Sequence, residues 1–220
     1  MAQKKLENLW QKGRKQMLND VTVFNIREYL SAKGDKDLGE DELRQLLSEF
    51  FCDKNPDVER FLKEQSIEFT KKNQSVTYLV FSNEDASLVG YFTITIKPIT
   101  VNAENFSNTM KRKIARVSEL DEENGTYTLS AYLIAQLGKN FKDGANEKIT
   151  GEQLLHVAVD TIKELQYMAG GMVIFLEAED NDKLMHFYED ENGFKQFDVR
   201  EMKCRDKDEI HKLVQLLKVM

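Results

Sequence analysis

Residues 128–162, TLSAYLIAQLGKNFKDGANEKITGEQLLHVAVDTI, decide the architecture of this chain. They read as an apolar strand, a loop rich in Gly, Asn and Lys, and a helix opening at Thr150-Gly151. Leu154, Leu155, Ala158, Ile162 and Leu165 recur at helical spacing and bury one face. Thr150 is suited to the N-cap, where its hydroxyl accepts from an orphan N–H of the first turn. Gly151 beside it lets a bulky group come close to the backbone. Free N–H groups and the positive end of the helix dipole make such a start a natural phosphate site, although most strand–loop–helix units bind nothing.

Downstream, Met172 to Ala178, MVIFLEA, is the short continuous apolar run expected of a strand buried on both faces. Asn181, Phe187-Tyr188 and Gly193-Phe194 follow it. In this order of elements and motifs the chain resembles the GNAT acetyltransferase superfamily, which moves an acetyl group from acetyl-CoA to an amine. Thr77-Tyr-Leu-Val-Phe and Val89-Gly-Tyr-Phe-Thr-Ile resemble that family's early hairpin. Phe51 to Leu62 resembles the first helix region of standalone bacterial members, and the likeness runs from about Ser48 to Val219. It implies an α/β (α+β) fold, a central mixed, mostly antiparallel twisted sheet flanked by helices. Residues 1–40 are expected to be a partly helical N-terminal extension and residues 41–220 the acyltransferase domain.

The loop departs from the family pattern. Aligned through Gly151 and Leu154-Leu155, the chain has Asn146 in place of Gln or Arg and Ile149 in place of the first Gly. A β-branched residue resists positive φ and crowds the approach. Backbone N–H groups do most of the phosphate binding, so Ile149 alters the loop without necessarily abolishing it.

Composition sets the bounds. At 220 residues, 41% hydrophobic and 31% charged, the chain holds one sizeable α/β core. No apolar run reaches the roughly 18 residues of a membrane span. The Lys-rich N-terminus lacks an apolar h-region, so a cytoplasmic protein is expected. Cys52 and Cys204 stand far apart in no metal spacing and read as free thiols. The net charge of −7 disfavours a nucleic-acid scaffold.

Leu6, Leu9, Trp10 and Met17 make one apolar stripe among lysines and arginines, read as a helix docking on its own domain or a second subunit, with a membrane-surface helix as the alternative. Asp35 to Glu40 hints at a calcium loop but has Glu40 where Gly is required. Helices are expected with Leu43, Leu46, Leu47 and Phe50 inward, and from Pro56 with Val58, Phe61, Leu62 and Ile67 inward. Thr77–Phe81 and Leu88–Ile96 are strands joined by a hairpin, and Pro98 is expected to end the second. The basic cluster Lys111, Arg112, Lys113 and Arg116 is either a solvated helix face or a contact for a phosphate, an acidic substrate or RNA. A last strand is expected over Phe194–Met202, with Phe197 and Val199 on one face. Ile210, Leu213, Val214 and Leu217 then predict an amphipathic helix over Asp206–Val219.

Acetyl transfer needs an amine placed against a thioester carbonyl, a donor for the developing oxyanion and an acid for the departing thiolate. The resemblance implies that Tyr188 is that acid, a phenol of pKa about 10 facing a thiolate of about 8.5. Without the resemblance Tyr188 is a core aromatic whose hydroxyl finds a backbone partner. Asn181 either contacts the pantetheine arm of acetyl-CoA or caps a helix starting near Asp182. By the same resemblance Leu137, Gly138 and Lys139 run beside that arm. Asn146, Glu147, Lys148, Ile149, Thr150, Gly151 and Glu152 cradle the pyrophosphate, where Glu147 and Glu152 are unwelcome charges unless they point away. Glu119, Glu177 and Glu179 are all candidates for the base, with no reason to choose. His156, His186 and His211 are scattered, so no metal is expected.

The reading is therefore an N-acetyltransferase using acetyl-CoA on the amine of a small molecule or protein, which the fold does not identify. Two alternatives stand beside it. Asn146, Ile149 and the acidic loop residues suit a catalytically inactive interaction module of the same fold. The Phe51–Leu62 likeness suits a toxin-like enzyme acting on aminoacyl-tRNA, the one nucleic acid kept open against the negative net charge. A second copy of the chain is a further candidate partner.

Overall fold

The computed structural model describes residues 16–18, 20–30, 39–203 and 210–220, and only the backbone of 16–18, 202–203 and 210–211. The strands in chain order are β1 (Gln16–Leu18), β2 (Val21–Asn25), β3 (Val76–Ser82), β4 (Leu88–Asn102), β5 (Leu120–Asp121), β6 (Thr126–Lys139), β7 (Val173–Glu179), β8 (Lys195–Lys203) and β9 (Ile210–Val219). The α-helices are α1 (Ile26–Leu30), α2 (Glu40–Ser48), α3 (Pro56–Arg60), α4 (Ser66–Lys71), α5 (Asn108–Ile114), α6 (Gly151–Ala169) and α7 (Asp182–Met185). The chain divides into two units, residues 1–95 with 135–161 and residues 96–134 with 162–220. Among the described residues no helix is long and apolar enough to cross a membrane.

In the first unit the strand order is β1-β2-β3, then the first half of β4, then the end of β6. β2 lies antiparallel to β3 over Val21–Asn25, so residues assigned to the extension by sequence carry part of this sheet. Met17 lies in β1, not on a helix, and the rest of the apolar N-terminal stripe and the acidic Asp35–Asp37 segment fall outside the described residues. Helix α2 starts after Gly39 and buries Leu43 and Leu47. Asn55 caps α3, its side chain accepting from the Asp57 and Val58 N–H groups, with Pro56 in the first turn where no donor is missed. A π turn, Phe61–Gln65, joins α3 to α4. The expected inward residues Phe50, Val58, Leu62 and Ile67 pack with Leu79, Phe81 and Tyr91 in one cluster. Its polar handle is satisfied: the Tyr91 hydroxyl donates to the Val58 carbonyl at 2.5 Å.

In the second unit the order is the far half of β4, the first half of β6, β7, β9, β8. β6 and β7 run parallel and pair over only three residues, Tyr132–Ile134 with Ile174–Leu176. Here two expectations are corrected. β4 continues through Pro98 to Asn102. Its pairing with β3 ends at Ile94, before Pro98. The predicted C-terminal helix is strand β9, antiparallel to β7 on one side and β8 on the other. Neighbouring Leu216 and Leu217 are 0% and 5% exposed, so both faces of β9 are covered. A strand buried on both faces loses the alternation that distinguishes it from a helix in sequence.

Candidate active site

One buried side chain fixes the end of β6 and the loop after it. Asn140, 4% exposed, donates from Nδ2 to the Leu88 carbonyl at 2.8 Å and the Glu49 carbonyl at 3.4 Å. Its Oδ1 accepts from the N–H groups of Phe51 at 2.9 Å and Lys142 at 3.1 Å. The Asn140 N–H reaches the Val89 carbonyl at 2.9 Å, and the Phe141 N–H reaches the Phe51 carbonyl at 2.7 Å. Sequence reasoning missed Asn140, because most of its partners lie far along the chain.

The loop then turns through two consecutive left-handed residues, Asp143 at φ 50° and Gly144 at φ 76°. Ile149 is 2% exposed and is not among the non-glycine residues with positive φ, so its side chain adds to the core and the expected strain is absent. Thr150 caps α6 as anticipated, within a reciprocal pair. Its Oγ1 accepts from the Gln153 N–H at 3.1 Å while Gln153 Oε1 accepts from the Thr150 N–H at 2.8 Å. This is a capping box, legible in Thr150-Gly-Glu-Gln153 but read only at its first residue. The box leaves the Gly151 and Glu152 N–H groups of the first turn over.

The charges around this loop are arranged. Glu147 and Glu152 are exposed. Lys148 pairs with Asp85 and reaches Ser87 at 3.2 Å, and its hydrogen bond, with that of Ser87, holds the Asp85 carboxyl down at about 2. Lys139 is pushed below the usual lysine range by burial and then by the charge of Lys54, which itself lies 4.7 Å over the Phe141 ring. Neither lysine has an ion-pair partner among the described residues. A helix start with spare N–H donors is suited to a diphosphate, and unpaired cations at the strand end that leads into its loop suit the same charge. Leu137 is half-buried, and a Cβ on Gly138 would meet Val58 at 2.4 Å, so only glycine lets the backbone pack there.

The other candidates lie in the second unit. Asn181 caps α7, its Oδ1 accepting from Lys183 at 2.9 Å and Leu184 at 3.4 Å. The capping alternative thus accounts for its oxygen, leaving Nδ2. Tyr188 lies in the π turn His186–Glu191 that extends α7. Its ring meets Phe187 at 4.9 Å and Phe194 at 6.0 Å, both edge-on. No hydrogen bond engages its hydroxyl among the described residues, and burial raises its pKa to about 12. Of the three carboxylates offered as bases, Glu119 and Glu179 are exposed and Glu177 is half-buried. Arg112, Lys113 and Arg116 are exposed on and just after α5, and the basic cluster has no ion-pair partner among the described residues.

No protein-family model matches the chain, and no curated protein matches it. Solved structures do. AtaT complexed with acetyl-methionyl-tRNAfMet is 15% identical with a TM-score of 0.56, over 89% of this chain and 94% of that one. A tyrosine-to-phenylalanine mutant of KacT is 16% identical with a TM-score of 0.56, over 91% and 95%. An AtaT toxin mutant of the same kind, bound to the C-terminus of the antitoxin AtaR and acetyl-CoA, is 15% identical with a TM-score of 0.52, over 91% and 94%. The chain has the GNAT fold. In GNAT terms, the resemblance read from Asn181, Phe187-Tyr188 and Gly193-Phe194 identified the architecture.

Proposed function

We propose that this chain is an acetyl-CoA-dependent N-acetyltransferase that acetylates an amine by direct attack. Tyr188 carries the reading. It is a half-buried phenol whose pKa desolvation raises, with no hydrogen bond to its hydroxyl among the described residues, on the segment that follows β7 in a GNAT fold. Two of the similar structures were solved as tyrosine-to-phenylalanine mutants, and one holds acetyl-CoA.

When bound, acetyl-CoA supplies the acetyl group as a thioester, already activated for attack. The chain supplies the rest. The N–H groups of Gly151 and Glu152, with the loop from Asn146 to Thr150, take the pyrophosphate, aided by Lys139 and Lys54. The backbone of Leu137, Gly138 and Lys139 takes the pantetheine arm; Asn181, if it contributes, has only its Nδ2 to offer. Tyr188 shares its hydroxyl proton with the leaving sulfur as the C–S bond breaks and takes one back from the attacking nitrogen, since a phenol with its pKa raised to about 12 is a weaker acid than the thiol formed. The test is calorimetric titration with acetyl-CoA and CoA, followed by thiol release on a panel of amines. Micromolar binding with amine-dependent thiol release supports the proposal; no heat from either ligand overturns it.

A second reading concerns the acceptor. AtaT is seen with acetyl-methionyl-tRNAfMet, and the unpaired basic cluster of Lys111, Arg112, Lys113 and Arg116 offers phosphate contacts despite the overall charge of −7. An aminoacyl-tRNA acceptor predicts growth arrest on expression, relieved by Tyr188→Phe; full tolerance of the wild type counts against it. Of the features that suit the inactive-module alternative, Ile149 drops out, since its side chain is buried in the core, while Asn146 and the acidic loop residues stay.

A further inference from the structure

The second unit contains a cleft of about 320 Å³, at the small end of the range for ligand pockets. Ile99, Leu133 and Phe175 are buried beneath it, and Phe197 flanks them, its ring 6.5 Å from Phe175 and edge-on. Lys97, Glu177, Asp198, Arg200 and Gln215 supply its polar lining. Two cations against two carboxylates leave the rim neutral, so selectivity rests on which polar atoms are already committed.

Those commitments are specific. Glu177 stands opposite Gln215 across β7 and β9. Gln215 Nε2 donates to Glu177 Oε1 at 2.6 Å and an Arg200 guanidinium nitrogen donates to the same oxygen at 3.4 Å. Both bonds fall on one oxygen. Among the described residues nothing engages Oε2, so the carboxylate is oriented and still holds an open acceptor. Strand β8 is bulged at this level: Gln196 pairs with Leu216 and Asp198 with Gln215, leaving Phe197 as the extra residue. The bulge lets consecutive residues, Phe197 and Asp198, both line the cleft, which a regular strand forbids. Val199, expected to share a face with Phe197, is 41% exposed instead.

Resting on the N-acetyltransferase reading, we infer that this cleft is the acceptor pocket and takes a primary amine on a small apolar or aromatic body. The ammonium group lies against Glu177 Oε2, with the body on Phe175 and Phe197, whose ring faces also attract a cation. Glu177 is the proton acceptor, and Gln215 and Arg200 are positioning residues. The bound ammonium passes one proton to Oε2, which returns it to water through the open side of the cleft. The nitrogen is then free to form the amide bond as the thioester C–S bond breaks. Overall an ammonium and a thioester give an amide, a thiol and one proton.

The test titrates the full chain with phenethylamine and with 2-phenylethanol, its neutral counterpart, by calorimetry without acetyl-CoA. We expect the amine to bind about tenfold more tightly, the worth of one charge-assisted hydrogen bond. Glu177→Gln should abolish that preference, and Gln215→Leu should reduce it, both with wild-type circular dichroism and thermal melting. Equal binding of amine and alcohol, no binding of either, or a preference surviving Glu177→Gln in a folded variant overturns the inference. Acetyl-CoA is titrated separately into the same proteins. A Glu177-dependent amine preference without acetyl-CoA binding overturns the acetyltransferase reading and the acceptor role with it, so the two failures are told apart.

Discussion

Asn140 donates from its buried amide to the Leu88 carbonyl at 2.8 Å, tying the end of β6 to the start of β4. The same side chain accepts from Phe51 and Lys142, so one residue sets the α2–α3 connection and the backbone of the loop after β6 together. Asn140→Leu should cost about 2–4 kcal/mol in urea unfolding, because it strands several backbone groups away from water. Asn140→Asp keeps the acceptor and should still lose stability, since the Leu88 carbonyl then faces a carboxylate. Wild-type stability in both would remove the clamp.

Ile149→Gly restores the family's residue type, yet Ile149 is buried and free of positive φ. We expect a loss of about 3 kcal/mol from the cavity and the added chain entropy. Acetyl-CoA affinity should not rise. A variant that binds acetyl-CoA more than tenfold better would mean that Ile149 does obstruct the loop.

Thr150 and Gln153 cap each other, so Thr150→Ala and Gln153→Ala should each cost about 1 kcal/mol. The double variant should cost less than the sum, because either substitution already opens the box. Strict additivity in a double-mutant cycle would show two independent contacts.

Tyr188→Phe should lower turnover by about 10²-fold or more while leaving acetyl-CoA affinity unchanged. Its hydroxyl holds no hydrogen bond among the described residues, so removal should leave melting unaltered. In an absorbance titration Tyr188 should ionise only near pH 12, against about 10 for an exposed tyrosine. Ionisation at the ordinary value would deny it the buried setting.

Asp85 pairs with Lys148 and is held down at about 2. A carboxyl lowered in the folded state stabilises above its unfolded pKa of about 4, and that contribution is lost as pH falls toward 2. The stability lent by the tie between the β3–β4 turn and the loop after β6 should therefore fall off between pH 4 and 2, with the tie itself released near 2, and it should be weaker in high salt because the pair is partly exposed. Asp85 chemical shifts through an acid titration measure this; a midpoint near 4 would rule the pairing out in solution.

The sequence by itself determined what local chemistry dictates. The cap at Thr150, the Asn55-Pro56 helix start, the apolar run of β7 and the Asn181, Phe187-Tyr188 and Gly193-Phe194 spacing were enough for the GNAT fold, since each signal is complete within a few residues. Tertiary structure decided wherever the answer depended on what lies opposite. Residues 210–219 carry apolar positions compatible with helix or strand, and became β9 because β7 and β8 flank them on both sides. β4 runs on through Pro98, past the end of its pairing with β3 at Ile94. Ile149 is harmless because the core receives it, and Asn140 matters because Leu88, Phe51 and Glu49 converge on it. Glu177 is oriented by Gln215 and Arg200, which come from strands far along the chain. Hydrogen bonds and burial between distant segments leave no periodicity for a sequence to display.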